Sequence, residues 1–115
     1  MTEYRRAKRK HATEVIDVYD CMTEQVIGRI SNLSETGMML MCSQPPFDDA
    51  LFQFRFTVND EQGRGRPIEV GAHHLWTDAA NSPGQHWAGF RFIDVTPECL
   101  TAMRGWVEKP GGTYV

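Results

Sequence analysis

The sequence has 115 residues, of which 41% are hydrophobic and 23% are charged, and its formal net charge is −3. This length supports one domain with a single core, and the composition is that of an ordinary globular protein. No apolar run approaches the roughly 20 residues of a membrane-spanning helix, and no secretory signal follows the basic N-terminus. We therefore expect a cytoplasmic protein without a membrane span.

The charges are distributed unevenly along the chain. Residues 1–11 carry a net charge of +4, which leaves −7 for the remaining residues. A basic arm on an acidic body indicates that the arm meets an anion. A broad nucleic-acid surface would require a basic excess over the whole domain, so this class of function is disfavoured.

The first part of the chain predicts short strands separated by turns. Residues 13–20 and 24–31 are rich in β-branched side chains and predict two strands that pair as a hairpin. Residues 32–37 form a polar turn between hydrophobic runs. Residues 38–42 predict a third, short strand that ends before Pro45-Pro46.

The middle of the chain continues this pattern. Residues 52–58 alternate strictly between apolar and polar side chains, which predicts a strand with one buried face. A loop at residues 59–65 separates it from a fifth strand at residues 68–76, where Trp76 shares a face with the apolar positions. A sixth strand covers residues 87–93.

Only the last part of the chain predicts a helix, at residues 96–108. Thr96 is a good N-cap, Pro97 suits the first helical position, and an apolar stripe follows with helical spacing. The predicted fold class is all-β with a C-terminal helix, a six-stranded antiparallel β-barrel capped by one α-helix. We expect residues 1–12 to be a flexible basic arm and residues 13–95 to be the barrel.

The arm and the polar turn are the candidate binding elements. Arg5, Arg6 and Arg9 offer planar, permanently charged guanidinium groups that match phosphate oxygens and the O6 and N7 acceptors of guanine. Asn32 and Ser34 are two residues apart and can present amide and hydroxyl groups on the same side of an extended segment. Taken separately, each motif is better explained without a ligand, the arm as a solvated basic tail and the turn as one held by local hydrogen bonds.

The order and spacing of these residues resemble the PilZ domain family. The family pattern is Arg-x-x-x-Arg followed by Asp-or-Asn-x-Ser-x-x-Gly, and Arg5 with Arg9 and then Asn32, Ser34 and Gly37 satisfy both halves. Downstream, residues 72–76 resemble an apolar family strand that ends near a Trp. Residues 88–92 resemble the Gly-x-x-Phe strand that precedes the family's helix, so the resemblance covers nearly the whole chain.

The resemblance implies a receptor for the bacterial second messenger cyclic di-GMP, with no catalytic residues, no metal and no cofactor. It implies that Arg5 and Arg9 clamp the ligand, with Arg6 as an extra contact. Asn32 and Ser34 would bind a guanine region, while Gly37 would allow positive φ or a close backbone approach. Trp76 would line either the site or the core. Tyr4 stands where the family often has a further Arg, which leaves one ligand or a stacked pair open.

Three other functions remain as alternatives. A PilZ-fold adaptor would act through contacts with a downstream protein, using the last helix or the loop at residues 59–66, with little or no nucleotide binding. A small barrel that binds nucleic acid is disfavoured by the acidic body, and an enzyme has the least support. A metal site at His73 and His74 is disfavoured because adjacent strand residues point to opposite faces.

Overall fold

The computed structural model describes residues 7–115. Within this part of the chain, one α-helix follows seven β-strands. The elements are β1 (Lys10–His11), β2 (Asp17–Asp20), β3 (Gln25–Leu33), β4 (Gly37–Cys42), β5 (Leu51–Asn59), β6 (Gly65–Ala79), β7 (His86–Val95) and α1 (Pro97–Glu108).

Six of the strands close into an antiparallel barrel. The order is β3-β2-β5-β6-β7-β4, and β4 pairs back onto β3 to complete the ring. The two-residue strand β1 pairs with the last residues of β3, beyond the part of β3 that β2 occupies. This architecture confirms the predicted fold class, and β1 is a short addition that the sequence pattern did not indicate.

Several strand boundaries differ from the prediction, and two of these differences affect the site. Residues 13–16 do not belong to β2, although backbone bonds from Ala12 to Ser31 and from Ile30 to Ile16, both 2.9 Å long, keep this segment beside β3. Val15 is 68% exposed, so its apolar side chain does not point into the barrel core. At the other boundary, β3 continues through Asn32, which was assigned to the turn.

Aromatic rings fill the barrel, and the helix covers it. Phe54 and Phe90 meet edge to face with ring centroids 5.1 Å apart, and Phe52 stacks on Phe54. The helix begins where predicted, because the Thr96 hydroxyl accepts a hydrogen bond of 3.2 Å from the backbone N–H of Cys99. Its buried residues, Met103, Trp106 and Val107, join the barrel core.

The fully buried ring of Phe54 yields a prediction about stability. Phe54→Ala should lower the free energy of unfolding by about 3–5 kcal/mol, because it removes apolar contacts and leaves a cavity in a closed barrel. Phe47→Ala is the matched control, since Phe47 is 83% exposed, and it should change the free energy by less than about 0.5 kcal/mol. Denaturant unfolding of both variants measures this difference, and equal losses would contradict the assignment of the core.

Candidate functional site

Lys10 fixes the position of the basic arm. Its side chain is only 7% exposed, and its Nζ donates a hydrogen bond of 2.8 Å to the backbone carbonyl of Trp106. The same ammonium lies 4.4 Å from the centroid of the Trp106 ring, a cation–π contact. Burial lowers the pKa of Lys10, the charge of Lys109 lowers it further, and Glu14 opposes both effects. A buried cation needs such partners, so Lys10 ties the arm to the helix.

A carboxylate completes this anchor. The indole Nε1 of Trp106 donates a hydrogen bond of 2.9 Å to Glu14. Burial acts to raise the pKa of Glu14, but the hydrogen bond from Trp106, two bonds from nearby backbone N–H groups and the charge of Lys10 together outweigh it. The net pKa is lowered, so the ionised carboxylate stabilises the folded state.

With the arm held in this way, Arg9 lies beside Asn32. The Arg9 Nη1 donates a hydrogen bond of 2.9 Å to the Asn32 side-chain oxygen. Asn32 is only 4% exposed and lies opposite His11 of β1 and Met39 of β4. Partial burial lowers the pKa of Arg9, although a guanidinium stays charged in proteins. The two motifs predicted to act together are therefore in direct contact.

Ser34 holds the turn that follows Asn32. Its hydroxyl oxygen accepts hydrogen bonds from the backbone N–H groups of Thr36 at 3.1 Å and Gly37 at 3.2 Å. The residue is 1% exposed, so the hydroxyl faces the turn itself. Glu35 in this turn pairs with Arg104 of α1, which fastens the turn to the helix. The local hydrogen bonds that the sequence left as an alternative are present, and a ligand contact from Ser34 stays a prediction.

Gly37 has a role that the sequence did not predict. It does not have positive φ, and a Cβ at this position would lie 2.4 Å from the carbonyl oxygen of Phe90. Glycine is therefore required because β4 passes very close to β7. Of the two alternatives that the sequence left open, Gly37 does not adopt a positive φ, and a close approach to a ligand stays a prediction.

Trp76 lies on the wall of the cavity next to Arg9 and Asn32. A bulge in the pairing of β6 with β7 between His74 and Trp76 ends the inward alternation, so Trp76 is 42% exposed and does not continue the core face. Its indole covers Gly89, where a Cβ would lie 2.1 Å from the Trp76 Nε1. Glycine at position 89 therefore leaves the space that this ring occupies.

The cavity that these residues share has a volume of about 420 Å³. The sequence did not single out six of its lining residues, which are His11, Met38, Met39, Leu75, Phe90 and Val115. Period-two spacing after Arg9 could have indicated His11. Nothing in the local pattern indicates Val115, whose backbone N–H donates a hydrogen bond of 2.8 Å to the Arg9 carbonyl.

The remaining predicted contacts on the arm are Arg5 and Arg6, which lie outside the described residues 7–115. The two lysines of the described arm already have partners within the protein. Lys8 pairs with Glu108 at 3.2 Å, and Lys10 is buried against the helix. Within the described part of the arm, Arg9 is thus the residue whose guanidinium lies at the cavity.

His73 and His74 point to opposite faces of β6, as predicted. His74 is 1% exposed, whereas His73 is partly exposed and pairs with Asp49. Among the described residues, no group of three His, Cys, Asp or Glu side chains is placed to hold a metal ion. No helix in residues 7–115 is long and apolar enough to cross a membrane.

The fold is a small closed antiparallel barrel, and the described part of the basic arm lies beside its candidate site. The family model of the PilZ domain matches residues 3–109, and the chain belongs to that family. PilZ domains are in general ligand-binding receptors rather than enzymes.

Solved structures support the fold. The Bacillus subtilis inhibitor of motility MotI/DgrA matches with a TM-score of 0.73 and 16% identity, over 89% of this chain and 48% of that one. The PilZ domain of YcgR from Escherichia coli, solved with c-di-GMP, matches with a TM-score of 0.65 and 16% identity, over 91% and 89%. The PilZ domain of CeSA from a cellulose-synthesizing bacterium matches with a TM-score of 0.53 and 16% identity, over 84% and 90%. The chain thus spans about half the length of MotI/DgrA, and no curated protein matches it.

The anchor at Glu14 predicts a pH dependence of stability. Because the folded-state pKa lies below the ordinary value of 4.5, its stabilisation is complete above that value and is lost as the pH falls through the lowered folded-state pKa. Glu14→Gln keeps an oxygen acceptor for Trp106 but removes the charge. The difference in unfolding free energy between wild type and variant should therefore shrink on acidification, measured by denaturant unfolding between about pH 7 and about pH 3. A difference that is constant with pH would contradict this role.

The packing of the Trp76 ring on Gly89 predicts a spectroscopic effect. Gly89→Ala should displace the indole, because the new methyl group would occupy the position of the ring. The indole N–H resonance of Trp76, assigned with Trp76→Phe, should shift in a proton–nitrogen correlation spectrum. Gly105→Ala is the control, since no atom lies within 4 Å of a Cβ there. An unchanged Trp76 resonance in Gly89→Ala would show that the ring lies elsewhere.

Proposed function

We propose that this protein is a cytoplasmic bacterial receptor for cyclic di-GMP and that it has no catalytic activity. Membership in the PilZ family supports a nucleotide receptor, and the YcgR PilZ domain solved with c-di-GMP is a structural neighbour. The observation that carries the proposal for this chain is the meeting of Arg9, Asn32 and Trp76 at one cavity of about 420 Å³.

The chemistry of these three side chains suits a dianionic dinucleotide. The guanidinium of Arg9 uses one N–H group on Asn32, and its other N–H donors remain for phosphate oxygens or for a guanine edge. The amide nitrogen of Asn32 can donate to a guanine carbonyl. The half-exposed indole of Trp76 offers a flat apolar face on which a base can stack.

The other predicted contacts complete the proposed site. Arg5 lies one Arg-x-x-x-Arg spacing before Arg9, and Arg6 follows it. Both would add guanidinium contacts to the phosphates. We propose that Ser34 and Gly37 act mainly by setting the course of the backbone after Asn32, because their hydrogen bonds and close packing are made within the barrel.

The proposed relay is local. Ligand binding neutralises the basic arm and draws it onto the ligand, while Lys10 stays anchored on the helix. The rearranged arm then changes the surface that is presented to a downstream protein. The barrel should barely move, because its ring of strands is closed.

Two rival functions have less support. A nucleic-acid surface needs several free cations, yet Lys8 pairs with Glu108, and Lys10 is buried. For the adaptor, the loop at residues 59–66 is held by Asp60, which accepts backbone hydrogen bonds of 2.9 Å from Gln62 and Arg64. These bonds fix the backbone of the loop and do not in themselves indicate a binding surface.

Calorimetric titration with cyclic di-GMP at near-physiological salt tests the proposal. We expect saturable binding, and Arg9→Ala should weaken it by roughly ten- to a hundredfold, because one charge-assisted contact contributes about 1.5–3 kcal/mol. The same titration gives one or two ligands per chain, which decides the question that Tyr4 raises.

Two controls make the titration specific. Arg66→Ala removes an exposed arginine that pairs with Asp60 on another part of the barrel, and it should leave binding unchanged. GTP shares the guanine base but lacks the cyclic dinucleotide and should produce no saturable heat. Absence of heat and of any shift in melting temperature with cyclic di-GMP would refute the receptor function.

A further inference from the structure

A second hollow lies near the start of β3, at the opposite end of that strand from Asn32. It has a volume of about 470 Å³ and is formed by the β2–β3 turn and the β4–β5 loop. We name residues 20–27 and 43–52 the Phe47 surface. The proposed nucleotide contacts do not use this surface.

Exposed apolar side chains are concentrated on the Phe47 surface. In residues 7–115, four of the ten exposed large hydrophobic side chains lie within these two short segments. They are Met22 at 77% exposure, Val26 at 52%, Phe47 at 83% and Leu51 at 64%. Val26 and Phe47 line the hollow itself, and exposed apolar side chains grouped beside a hollow are typical of an interaction site.

The charged side chains of these two segments are all acidic, and a cation, Arg55 of β5, lies beside Cys21 at the edge of the surface. Its two segments contain Asp20, Glu24, Asp48 and Asp49 and no Lys or Arg. Asp20 accepts a hydrogen bond of 2.9 Å from the backbone N–H of Met22, and Asp49 pairs with His73. Glu24 and Asp48 are exposed at the surface.

We propose that the Phe47 surface docks a segment of a partner protein in which apolar side chains are flanked by Lys or Arg. The apolar residues of the partner would fill the hollow beside Phe47, and its cations would face the acidic rim. Complementary charge fixes the choice of partner and speeds association, while the apolar contact supplies most of the affinity.

His74 joins this surface to the candidate nucleotide cavity. Its Nδ1 lies 2.8 Å from the backbone carbonyl oxygen of Phe47, and its Nε2 lies 2.9 Å from that of Trp76. The hydroxyl of Thr77 lies 2.7 Å from the same Nε2. A neutral imidazole has only one N–H group, so it can donate to only one of the two carbonyls at a time. A ligand that moves Trp76 would change this choice and, with it, the hold on Phe47.

The surface is tested without nucleotide, by panning a random dodecapeptide library on the purified protein. We expect enriched peptides with apolar residues and a net positive charge. Their binding should perturb the backbone amides of residues 20–27 and 43–52 in a proton–nitrogen correlation spectrum. Phe47→Ser should weaken a selected peptide at least tenfold and Asp48→Asn severalfold. Ile93→Ser, at a residue of 51% exposure on β7, and Asp78→Asn are matched controls that should have no effect.

Four results of the peptide experiments would overturn this assignment. They are no enrichment, enrichment of acidic peptides, perturbation confined to other residues, and equal loss of binding in the controls. Concentration-dependent self-association that Phe47→Ser abolishes would also overturn it, because the surface would then meet a second copy of this chain.

The link through His74 rests on the proposed function and has its own test. Saturating cyclic di-GMP should change the affinity of a selected peptide by about fivefold or more, the lower end of ordinary coupling between sites. His74→Phe should remove this coupling, and Thr77→Val gives a second comparison if His74→Phe does not fold. Nucleotide binding with unchanged peptide affinity would refute the link alone, whereas absence of nucleotide binding would refute the proposed function and leave the surface test standing.

Discussion

The burial of one lysine is the constraint on which the site depends. An ammonium removed from water costs several kcal/mol unless it finds polar partners, and Lys10 finds the carbonyl and the ring of Trp106. Because Lys10 must point toward the helix, its neighbour Arg9 points the other way, toward Asn32. The helix thus contributes no side chain to the lining of the cavity, yet it orients the guanidinium there.

Much of the fold could be predicted from the sequence because its local signals agree with one another. The alternation at residues 52–58 and the capping residues Thr96 and Pro97 predict a strand and a helix that the structure contains. Where a prediction was wrong, a long-range contact decided the outcome. The polar Asn32 belongs to β3 because β1 and β4 pair with it on both sides, and a single sequence does not reveal such partners.

The candidate site was predictable in part for the same reason. Arg9 and Asn32 were named from a family pattern, and they form a direct hydrogen bond. The position of the Trp76 ring was not predictable, because it depends on a bulge at Leu75 that brings the ring over Gly89 on the next strand. Gly37 is the opposite case, because the motif singles it out for a contact with a ligand. The structure shows that glycine is also needed there for the packing of β4 on β7.

The pairing of Arg9 with Val115 has a consequence for the order of events during synthesis and folding. Residues 113–115 form backbone bonds to the segment that carries Arg9, and Lys10 needs Trp106 to be in place. These contacts span almost the whole described chain, and contacts of such high sequence separation form late. The cavity can therefore assemble only after α1 and the residues behind it have left the ribosome. A barrel in which α1 or residues 113–115 are not yet in place would have no complete site, so ligand binding would report that these residues have folded onto the barrel.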